Sequence, residues 1–506
     1  MGKRIVLKNA NIIPMHTKSA RTQGMTVQDG VIQSLAADTN GDTVIDLKGQ
    51  TVLPGFIDTH AHMMLTGHAA ISLPLDKAEC IQDIQDMVQT KAKDLDAGAW
   101  IKGYSLNELD LKEQRMPTKS ELDVVSSRHP VFLSHATCHL CSLNSMALHI
   151  MDLPQDLSGL DKKSGNTTGV VRDPGILTHV HPKITALTTE EVKVKALHAA
   201  AHKALAAGIT TVHGLDDGDL GPGDVPIILE HQDKLPIDLV VFDQVMNIDH
   251  ILRLGLPRIG GCICLDGAFE AHTAALFEPY TDEPDNYGQL TYDQQTIDRF
   301  VLQAHTSGLQ IAVHCESERA IEQVLGAIEK ALRSHPGANH RHRIEHLELP
   351  TWNQLQRIAE AGIVASMQPA FIPAFIGQEN METYASLLGP DRLDRVHPYQ
   401  SIVRKGIPLI GGSDSPVTHL APLHGVQAAI THPNADQRLS RYQALCMFTK
   451  TAAWSAFEED TKGTLEPGKR ADFVILDKDP TAVPPDHIEH IQVTQVFVEG
   501  KSVYSV

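Results

Sequence analysis

Side chains that commonly bind metal ions lie at or near the ends of short apolar segments along this chain. The set is His60, His62, Cys262, Cys264, His314, His346 and Asp414. His60 and His62 are two positions apart, so on a β-strand both imidazoles point to the same face and can reach one ion. Zinc accepts a mixture of imidazole, thiolate and carboxylate ligands. These residue types and positions therefore predict a metal centre.

Each of these residues also has an ordinary structural explanation. A single histidine on an apolar strand is usually a packed core residue, and a buried cysteine usually behaves as a small apolar side chain. Asp414 could be a turn residue or a helix N-cap. The order of the residues favours the metal hypothesis, because ligand types fall on the first, fourth, fifth, sixth and eighth apolar segments, each time towards the C-terminal end.

Eight apolar segments alternate with helical stretches and are predicted to be parallel strands. They are residues 51–62, 209–216, 238–245, 260–267, 309–316, 342–349, 362–369 and 407–416. The alternation predicts an α/β fold, a (β/α)8 TIM barrel whose chemistry lies at the C-terminal ends of its strands. A doubly wound open sheet is the alternative topology.

The two ends of the chain and one long insertion depart from this repeat. Short strands with turn signals fill residues 1–54 and 465–506. We predict that both ends build one small β-sandwich domain, because neither end alone buries much surface. The barrel is predicted over residues 55–464. Residues 67–195, after the first strand, are predicted to be an inserted α+β region that caps the pocket.

Composition limits the classes of partner. A net charge of −19 over 506 residues disfavours binding to the phosphates of nucleic acids. No apolar run reaches the length of about 18 residues that a membrane span needs, and the N-terminal residues lack the apolar core of a signal peptide. The 7 cysteines are scattered and odd in number, which fits a reducing compartment. We therefore expect a cytoplasmic protein.

The motifs of this chain resemble those of the amidohydrolase superfamily over nearly the whole chain. VLPGFIDTHAH (52–62) is similar to the first strand of that family, and GTLEPGKRADFVILDKDP (463–480) is similar to its closing signature. The subgroup looks like amidohydrolase family 3, the long metal-dependent hydrolases of the N-substituted formamide deformylase type. The stretches that carry this resemblance are residues 266–282, 313–321, 343–349 and 411–417.

The resemblance implies a ligand set for Zn²⁺, with one or two ions as alternatives. The implied ligands are His60, His62, Cys262, His314, His346 and Asp414. Many members of the family carry a lysine, often carbamylated, four residues before the Asp-Gly pair of the fourth strand, and this position is Cys262 here. Cys264 shares the same strand face, so spacing alone leaves both thiols open, and the alignment favours Cys262.

The resemblance also implies four residues around the substrate. They are His139, Asp266, His272 and Arg343. For His272 the alternative is a solvated loop residue, and for Arg343 the alternative is a structural ion pair.

The family resemblance and the ligand set together predict a hydrolase. A bound divalent ion lowers the pKa of water to about 7, and Asp414 would accept the proton of the attacking water and pass it to the departing amine. We expect hydrolysis of a non-peptide carbon–nitrogen bond of the amide type in a small molecule. The alternatives are hydrolytic deamination of a heterocyclic or amidine-like substrate and a non-catalytic barrel scaffold. A homodimer is suggested by the resemblance alone.

Overall fold

Eight parallel strands form the centre of the molecule. The computed structural model describes residues 4–38, 40–218, 221–337, 339–377 and 381–506. The strands are β1 (Phe56–Ala61), β2 (Ile209–Asp216), β3 (Asp238–Asp243), β4 (Arg258–Cys264), β5 (Gln310–Cys315), β6 (Arg343–His346), β7 (Val364–Met367) and β8 (Leu409–Gly411). Each overlaps one of the eight apolar segments of the sequence.

The strands follow each other in chain order in two sheets. One sheet has the order β3-β2-β1 and the other has the order β4-β5-β6-β7-β8. A parallel bridge between Ala61 and Ser415 connects β1 with the segment that follows β8. Every residue of β1, β2, β5, β6, β7 and β8 is buried. Burial on both faces is typical of parallel strands that are covered by helices.

The fourth strand differs from its predicted bounds. The sequence predicted a strand over 260–267, whereas β4 begins at Arg258 and ends at Cys264. Gly260 and Gly261 therefore lie inside the strand, at positive φ values of 89° and 113°. The register of β4 against β5 shifts between Gly260 and Cys264, as it does at a β-bulge. Glycine tolerates this backbone because it has no Cβ atom.

Amphipathic helices cover the strands. Two of these helices, Met63–Ile71 and Glu190–Ala206, overlap the two ends of residues 67–195. The others are Asp224–His231, Ile248–Leu254, Gln294–Thr306, Glu318–Ser334, Trp352–Ala361, Glu382–Leu388, Tyr399–Arg404, Pro422–Ile430, Arg441–Met447 and Lys450–Ser455. The helix before β7 shows how its ends are fixed. Thr351 and Gln354 form a capping box at its start, and Gly362 ends it at a φ of 68°. None of the helices in the described ranges has the length and apolar character that a bilayer crossing requires.

An inserted layer separates β1 from β2. Its sheet contains Leu73–Pro74, Ile101–Leu106, Val131–His135, Leu140–Leu143, Leu160–Lys163 and Asn166–Arg172. Its helices are Ile81–Lys93, Lys119–Val125, Ser145–Met151 and His181–Ala186. The layer has two hydrophobic clusters of its own, one of which includes Leu65 from the helix after β1. This region is therefore an α+β unit inserted between the C-terminal end of β1 and the start of β2.

The two ends of the chain share a sheet and a core. One sheet pairs Arg4–Lys8, Met25–Gln28, Val31–Ser34 and Thr43–Asp46. The other joins Asn11–Ile12 and Thr51–Pro54 to Phe473–Leu476, Val493–Val498 and Lys501–Ser505. Asp29 and Gly30 form the turn of a hairpin, with φ values of 53° and 79°. The rings of Phe473 and Phe497 stack at 4.4 Å in a core that also contains Ile5 and Leu7.

The shared core predicts a stability effect of Phe473→Ala. Phe473 is fully buried, and removing a buried aromatic ring typically costs about 3–5 kcal/mol. We expect the midpoint of urea unfolding, followed by circular dichroism, to fall accordingly. Val44→Ala is the control, since Val44 is exposed on a strand of the other of these two sheets. An unchanged midpoint for Phe473→Ala would contradict a stabilising role for this core.

Candidate metal centre

All six side chains of the implied ligand set come together at the C-terminal ends of the strands. They are His60, His62, Cys262, His314, His346 and Asp414, and they form three overlapping groups in which the ligand atoms lie within 4.8 Å of one another. His60, Cys262 and His346 each belong to two of the three groups. This overlap makes one continuous cluster in which one ion, or two neighbouring ions, could be surrounded.

The distances between ligand atoms are those of side chains facing a common centre. Asp414 Oδ1 lies 3.2 Å from His60 Nε2 and 3.0 Å from His62 Nε2. On the other side of the cluster, Cys262 Sγ lies 3.6 Å from His314 Nδ1 and 3.9 Å from His346 Nε2. The cluster thus has one half rich in nitrogen and carboxylate oxygen and one half that includes sulfur.

Hydrogen bonds fix the ring orientation of the two histidines on β1. His60 Nδ1 donates to Glu345 Oε2 at 2.8 Å, and His62 Nδ1 donates to the backbone oxygen of Leu215 at 2.5 Å. Each bond leaves Nε2 facing the cluster. Partners of this kind set the tautomer of a metal-binding histidine and increase the basicity of the other nitrogen.

Arg343 holds the carboxylate that orients His60. Its Nε donates to Glu345 Oε1 at 2.7 Å and its Nη2 donates to Glu345 Oε2 at 3.0 Å. Nη2 also donates to the backbone oxygen of Thr59 and to the Ser366 hydroxyl, and Nη1 lies 3.0 Å from His213 Nδ1. Arg343 is 1% exposed. Of the two roles considered for Arg343, a substrate contact and a structural ion pair, the bonds in this structure are those of an interior ion pair.

The protonation states of these groups fit a bound cation. Burial lowers the pKa of His314 to about 4 and the pKa of His346 well below its usual value, so both rings are neutral near pH 7 and can bind metal. Burial opposes a charge on His60, but Asp414 and Glu345 raise its pKa to about 9, so a metal ion at Nε2 would displace the proton that these carboxylates hold there. His60 and His62 keep the pKa of Asp414 well below its usual value although burial acts in the opposite direction.

Unpartnered atoms point to the same conclusion. His60 Nε2 and Asp414 Oδ1 are buried 3.2 Å apart, and neither makes a well-aligned hydrogen bond within the described part of the chain. A buried polar atom without a partner costs about 1–3 kcal/mol. A divalent ion among nitrogen, sulfur and carboxylate donors would satisfy both atoms, so the residues present fit a metal such as zinc.

The two thiols of β4 have different surroundings. Cys262 Sγ belongs to two of the three ligand groups, whereas Cys264 belongs to none of those found among the described residues. Cys264 Sγ instead donates to the backbone oxygen of Cys262 at 3.4 Å. Contact with Cys264 and burial raise the pKa of the Cys262 thiol well above its usual value. A thiolate at Cys262 therefore needs a cation beside it.

The ends of two strands adopt backbone conformations that are uncommon for residues other than glycine. His346 has a φ of 70° and Asp414 has a φ of 56°. Around Asp414 the backbone is held by two buried bonds, since Asp414 N donates to the His60 oxygen at 2.7 Å and Ser413 N donates to Asp58 Oδ1 at 3.0 Å. These bonds fix the carboxylate of Asp414 next to the β1 histidines.

His139 belongs to the inserted layer and interacts electrostatically with Cys264 and Asp414 of the strand ends. Its Nδ1 lies 2.5 Å from Asp173 Oδ2. Burial opposes a charge on the ring, but Asp173 raises the pKa of His139 to about 9, and Cys264 and Asp414 also act on it. The ring is one-third exposed. His139 is thus a charged hydrogen-bond donor near the metal ligands.

Asp266 and His272 lie in the loop after β4 and have different environments. Asp266 is buried, accepts hydrogen bonds from the backbone of Ala275, Glu316 and Ser317, and lies 3.7 Å from His314 Nε2. It therefore holds this loop against the end of β5. Nε2 of His272 lies 3.0 Å from Asp282 Oδ2 at the protein surface, and His272 belongs to none of the ligand groups among the described residues.

Two residues that sequence reasoning missed now stand out. A role for Glu345 could have been predicted from the sequence, because a carboxylate inside a buried strand, here one of four buried residues, requires a partner. Gln368 follows β7 and is fully buried, and neither of its side-chain amide atoms has a hydrogen-bond partner in the described ranges. Its only sequence signal was its position at the C-terminal end of an apolar segment.

The contact between Glu345 and His60 predicts that Glu345→Gln weakens metal binding. The variant keeps the shape of the side chain but removes the charge that orients His60, and loss of such a partner typically costs about 10–100-fold in metal affinity. Competition with a chelator, followed by metal analysis of the folded protein, measures the change. Glu360→Gln on an exposed helix position is the control. Equal affinity for Glu345→Gln and the wild type would rule out this role.

Comparison with known proteins places the chain in a family. A model described as "Amidohydrolase family" matches residues 43–504. A putative amidohydrolase, YtcJ, of Bacillus subtilis is 27% identical, with 97% of this chain and 98% of the relative covered. N-substituted formamide deformylase of Arthrobacter pascens is 24% identical, with 98% and 97% covered. An uncharacterized metal-dependent hydrolase from Pyrococcus furiosus has a TM-score of 0.78 at 25% identity, covering 94% of this chain and 100% of its own. The chain has a TIM-barrel-type α/β fold and belongs to amidohydrolase family 3.

Proposed function

We propose that this chain hydrolyses an amide-type carbon–nitrogen bond, other than a peptide bond, in a small molecule. The observation that carries the proposal is the cluster of six metal-ligand side chains within three overlapping groups. The family consists of metal-dependent hydrolases, and one relative is a deformylase of N-substituted formamides. Deformylation is the hydrolysis of an amide-type bond, which favours this chemistry over other hydrolytic reactions.

The metal is proposed to be Zn²⁺. His60, His62 and Asp414 would hold one ion, and Cys262, His314 and His346 would hold a second ion or complete the first site. A thiol among the donors favours zinc over magnesium or calcium, which prefer oxygen ligands. When bound there, such an ion would lower the pKa of a water molecule to about 7 and would polarise the substrate carbonyl.

Asp414 is proposed to be the general base. Its low pKa keeps it ionised, so it can accept the proton of the attacking water. Attack on the carbonyl carbon gives a tetrahedral species, and Asp414 returns the proton to the nitrogen as the carbon–nitrogen bond breaks. His139, held by Asp173, would donate a hydrogen bond to the substrate from the side of the inserted layer. The Arg343–Glu345 pair would act only through the orientation of His60.

Around this centre we propose one closed barrel and one small domain that is built from both ends of the chain. The bridge between Ala61 and Ser415 supports closure of the two parallel sheets between β1 and β8. Residues 55–464 would form the barrel, with 67–195 as a cap. Residues 1–54 and 465–506 would form a β-sandwich, which the mixed sheet and shared core of the two ends support.

A substrate screen tests the reaction. Zinc-loaded protein should release amine and acid from at least one member of a panel of N-formyl and N-acyl amines and lactams. Release of ammonia from aminated heterocycles or amidines, without amide cleavage, would instead establish the deaminase alternative. A protein that binds no metal and cleaves nothing would be a scaffold.

Asp414→Asn should strongly reduce turnover while the fold is retained. General acid–base groups contribute about 10²–10⁴-fold to the rate, so we expect kcat to fall by at least about 100-fold. Asp285→Asn, at an exposed position in the loop after β4, is the control for loss of a carboxylate. Near-normal turnover of Asp414→Asn would show that another group moves the proton.

Cys262→Ser and Cys264→Ser form a matched pair that identifies the thiol ligand. We expect Cys262→Ser to lower the bound zinc per chain after dialysis more than Cys264→Ser, since serine is a weaker ligand for zinc than a thiolate. Atomic absorption of both proteins measures the content. The reverse ranking would make Cys264 the ligand.

A further inference from the structure

Gln368 carries a buried side-chain amide that no neighbouring group satisfies. The residue is fully buried, and neither Oε1 nor Nε2 has a hydrogen-bond partner in the ranges that the structure describes. The other buried glutamines of these ranges each donate from Nε2 to a neighbouring oxygen, and they are Gln244, Gln310, Gln323, Gln354 and Gln437. A structural role accounts for those five side chains and leaves Gln368 unexplained.

Gln368 lies on the inner face of the parallel strands. Two positions earlier, the Ser366 hydroxyl accepts a hydrogen bond from the interior ion pair, and side chains two positions apart on a strand point to the same face. Met367 lies between them and pairs with Gly411. A Cβ atom at Gly411 would meet the Phe448 ring at 2.7 Å, next to the outer helices. Met367 therefore faces outwards, and Gln368 continues the inner face towards the C-terminal ends.

The backbone around Gln368 connects it with two segments that carry metal ligands. Phe371 N donates to the Gln368 backbone oxygen at 3.1 Å. The Phe371 ring lies 6.0 Å from the His346 ring, at an interplanar angle of 25°. On the other side, the Met367 oxygen accepts a bond of 3.1 Å from the backbone of the segment that leads to Asp414. Gln368 therefore lies between the strand ends that carry His346 and Asp414.

The unpaired amide of Gln368 requires a partner that has both a donor and an acceptor. Nε2 can donate and Oε1 can accept, so an anion would satisfy only Nε2 and a cation would satisfy only Oε1. Burying both atoms without partners costs free energy. A planar group with N–H and C=O side by side would pair with both atoms at once. The side chain therefore indicates an uncharged ligand with such an edge.

We propose that Gln368 is a substrate-binding residue that pairs with the N–H and C=O of an uncharged amide group. The inference rests on the proposed function and narrows its substrates to amides that present both groups on one edge, as lactams and primary amides do. A trans amide, such as an ordinary peptide bond, holds its N–H and C=O on opposite edges. Such an amide would satisfy only one of the two Gln368 atoms.

Replacing Gln368 by methionine separates a ligand-binding role from a structural role. Methionine is unbranched and fills a similar space, and Gln368→Met removes both unpaired atoms. We therefore expect the zinc-loaded variant to unfold at a higher urea concentration than the wild type. Gln310→Met is the matched control, because it would remove the amide that binds the backbone oxygens of Arg341 and Ser455. Its unfolding midpoint should fall.

Titration with two small lactams tests the ligand edge without any turnover. γ-Butyrolactam carries N–H and C=O on one edge, whereas its N-methyl derivative lacks the N–H. In ligand-observed NMR titrations of zinc-loaded protein, we expect γ-butyrolactam to bind about tenfold tighter or more, as the loss of a hydrogen bond predicts. Gln368→Met should abolish this difference. Gln303→Met, at an exposed helix position, should retain it.

Neither experiment requires the proposed reaction, so the inference can fail while the reaction stands. An unchanged or lower unfolding midpoint for Gln368→Met would make Gln368 a structural residue. Absence of γ-butyrolactam binding by the wild type, or equal binding of the two lactams, would also overturn the proposal. The same preference in the wild type and in Gln368→Met would assign recognition of the lactam edge to another group.

Discussion

The candidate metal centre depends on one interior ion pair. Arg343 and Glu345 have no exposed side-chain surface, and besides the bonds between them on β6 they bind groups on β1, β2 and β7. Glu345 orients His60 on β1, while Arg343 binds the backbone of β1, the His213 ring on β2 and a hydroxyl on β7. A buried pair of this kind is costly to form and very costly to break on one side only. The geometry of the site is therefore fixed from inside the strands, not from the loops.

Much of the parallel framework could be predicted from the sequence. Buried parallel strands are continuous apolar runs, and such runs separated by helices are a strong signal. Because the strands share one direction, ligand types at their C-terminal ends were expected to meet, and the six implied ligands do lie together. The bounds of β4 were less predictable, since Gly260 and Gly261 resemble the start of a strand and instead form an irregularity inside it.

The surroundings of the ligands were harder to predict. For Arg343 the sequence is compatible with a substrate contact and with an ion pair, because sequence does not show which side of a short strand end faces the interior. Glu270 and Tyr384 are separated by more than a hundred positions and meet only in the folded chain. The position of His139 near the ligands depends on how the inserted layer packs against the strands. The periodicity of apolar residues does not define this packing. Contacts made by loops and insertions follow from tertiary packing, so local patterns carry little information on them.

The pairing of Thr51–Pro54 with Phe473–Leu476 has a consequence for how the molecule assembles. These partners are among the most distant segments in the chain, so the sheet that contains them cannot be completed while a ribosome is still making the parallel strands. Closing so long a loop costs chain entropy before the contacts that stabilise the sheet have formed, and this cost slows folding. During synthesis, the edge of Thr51–Pro54 stays unpaired on this side until Phe473–Leu476 emerges, so this part of the sheet forms after the parallel strands have been made.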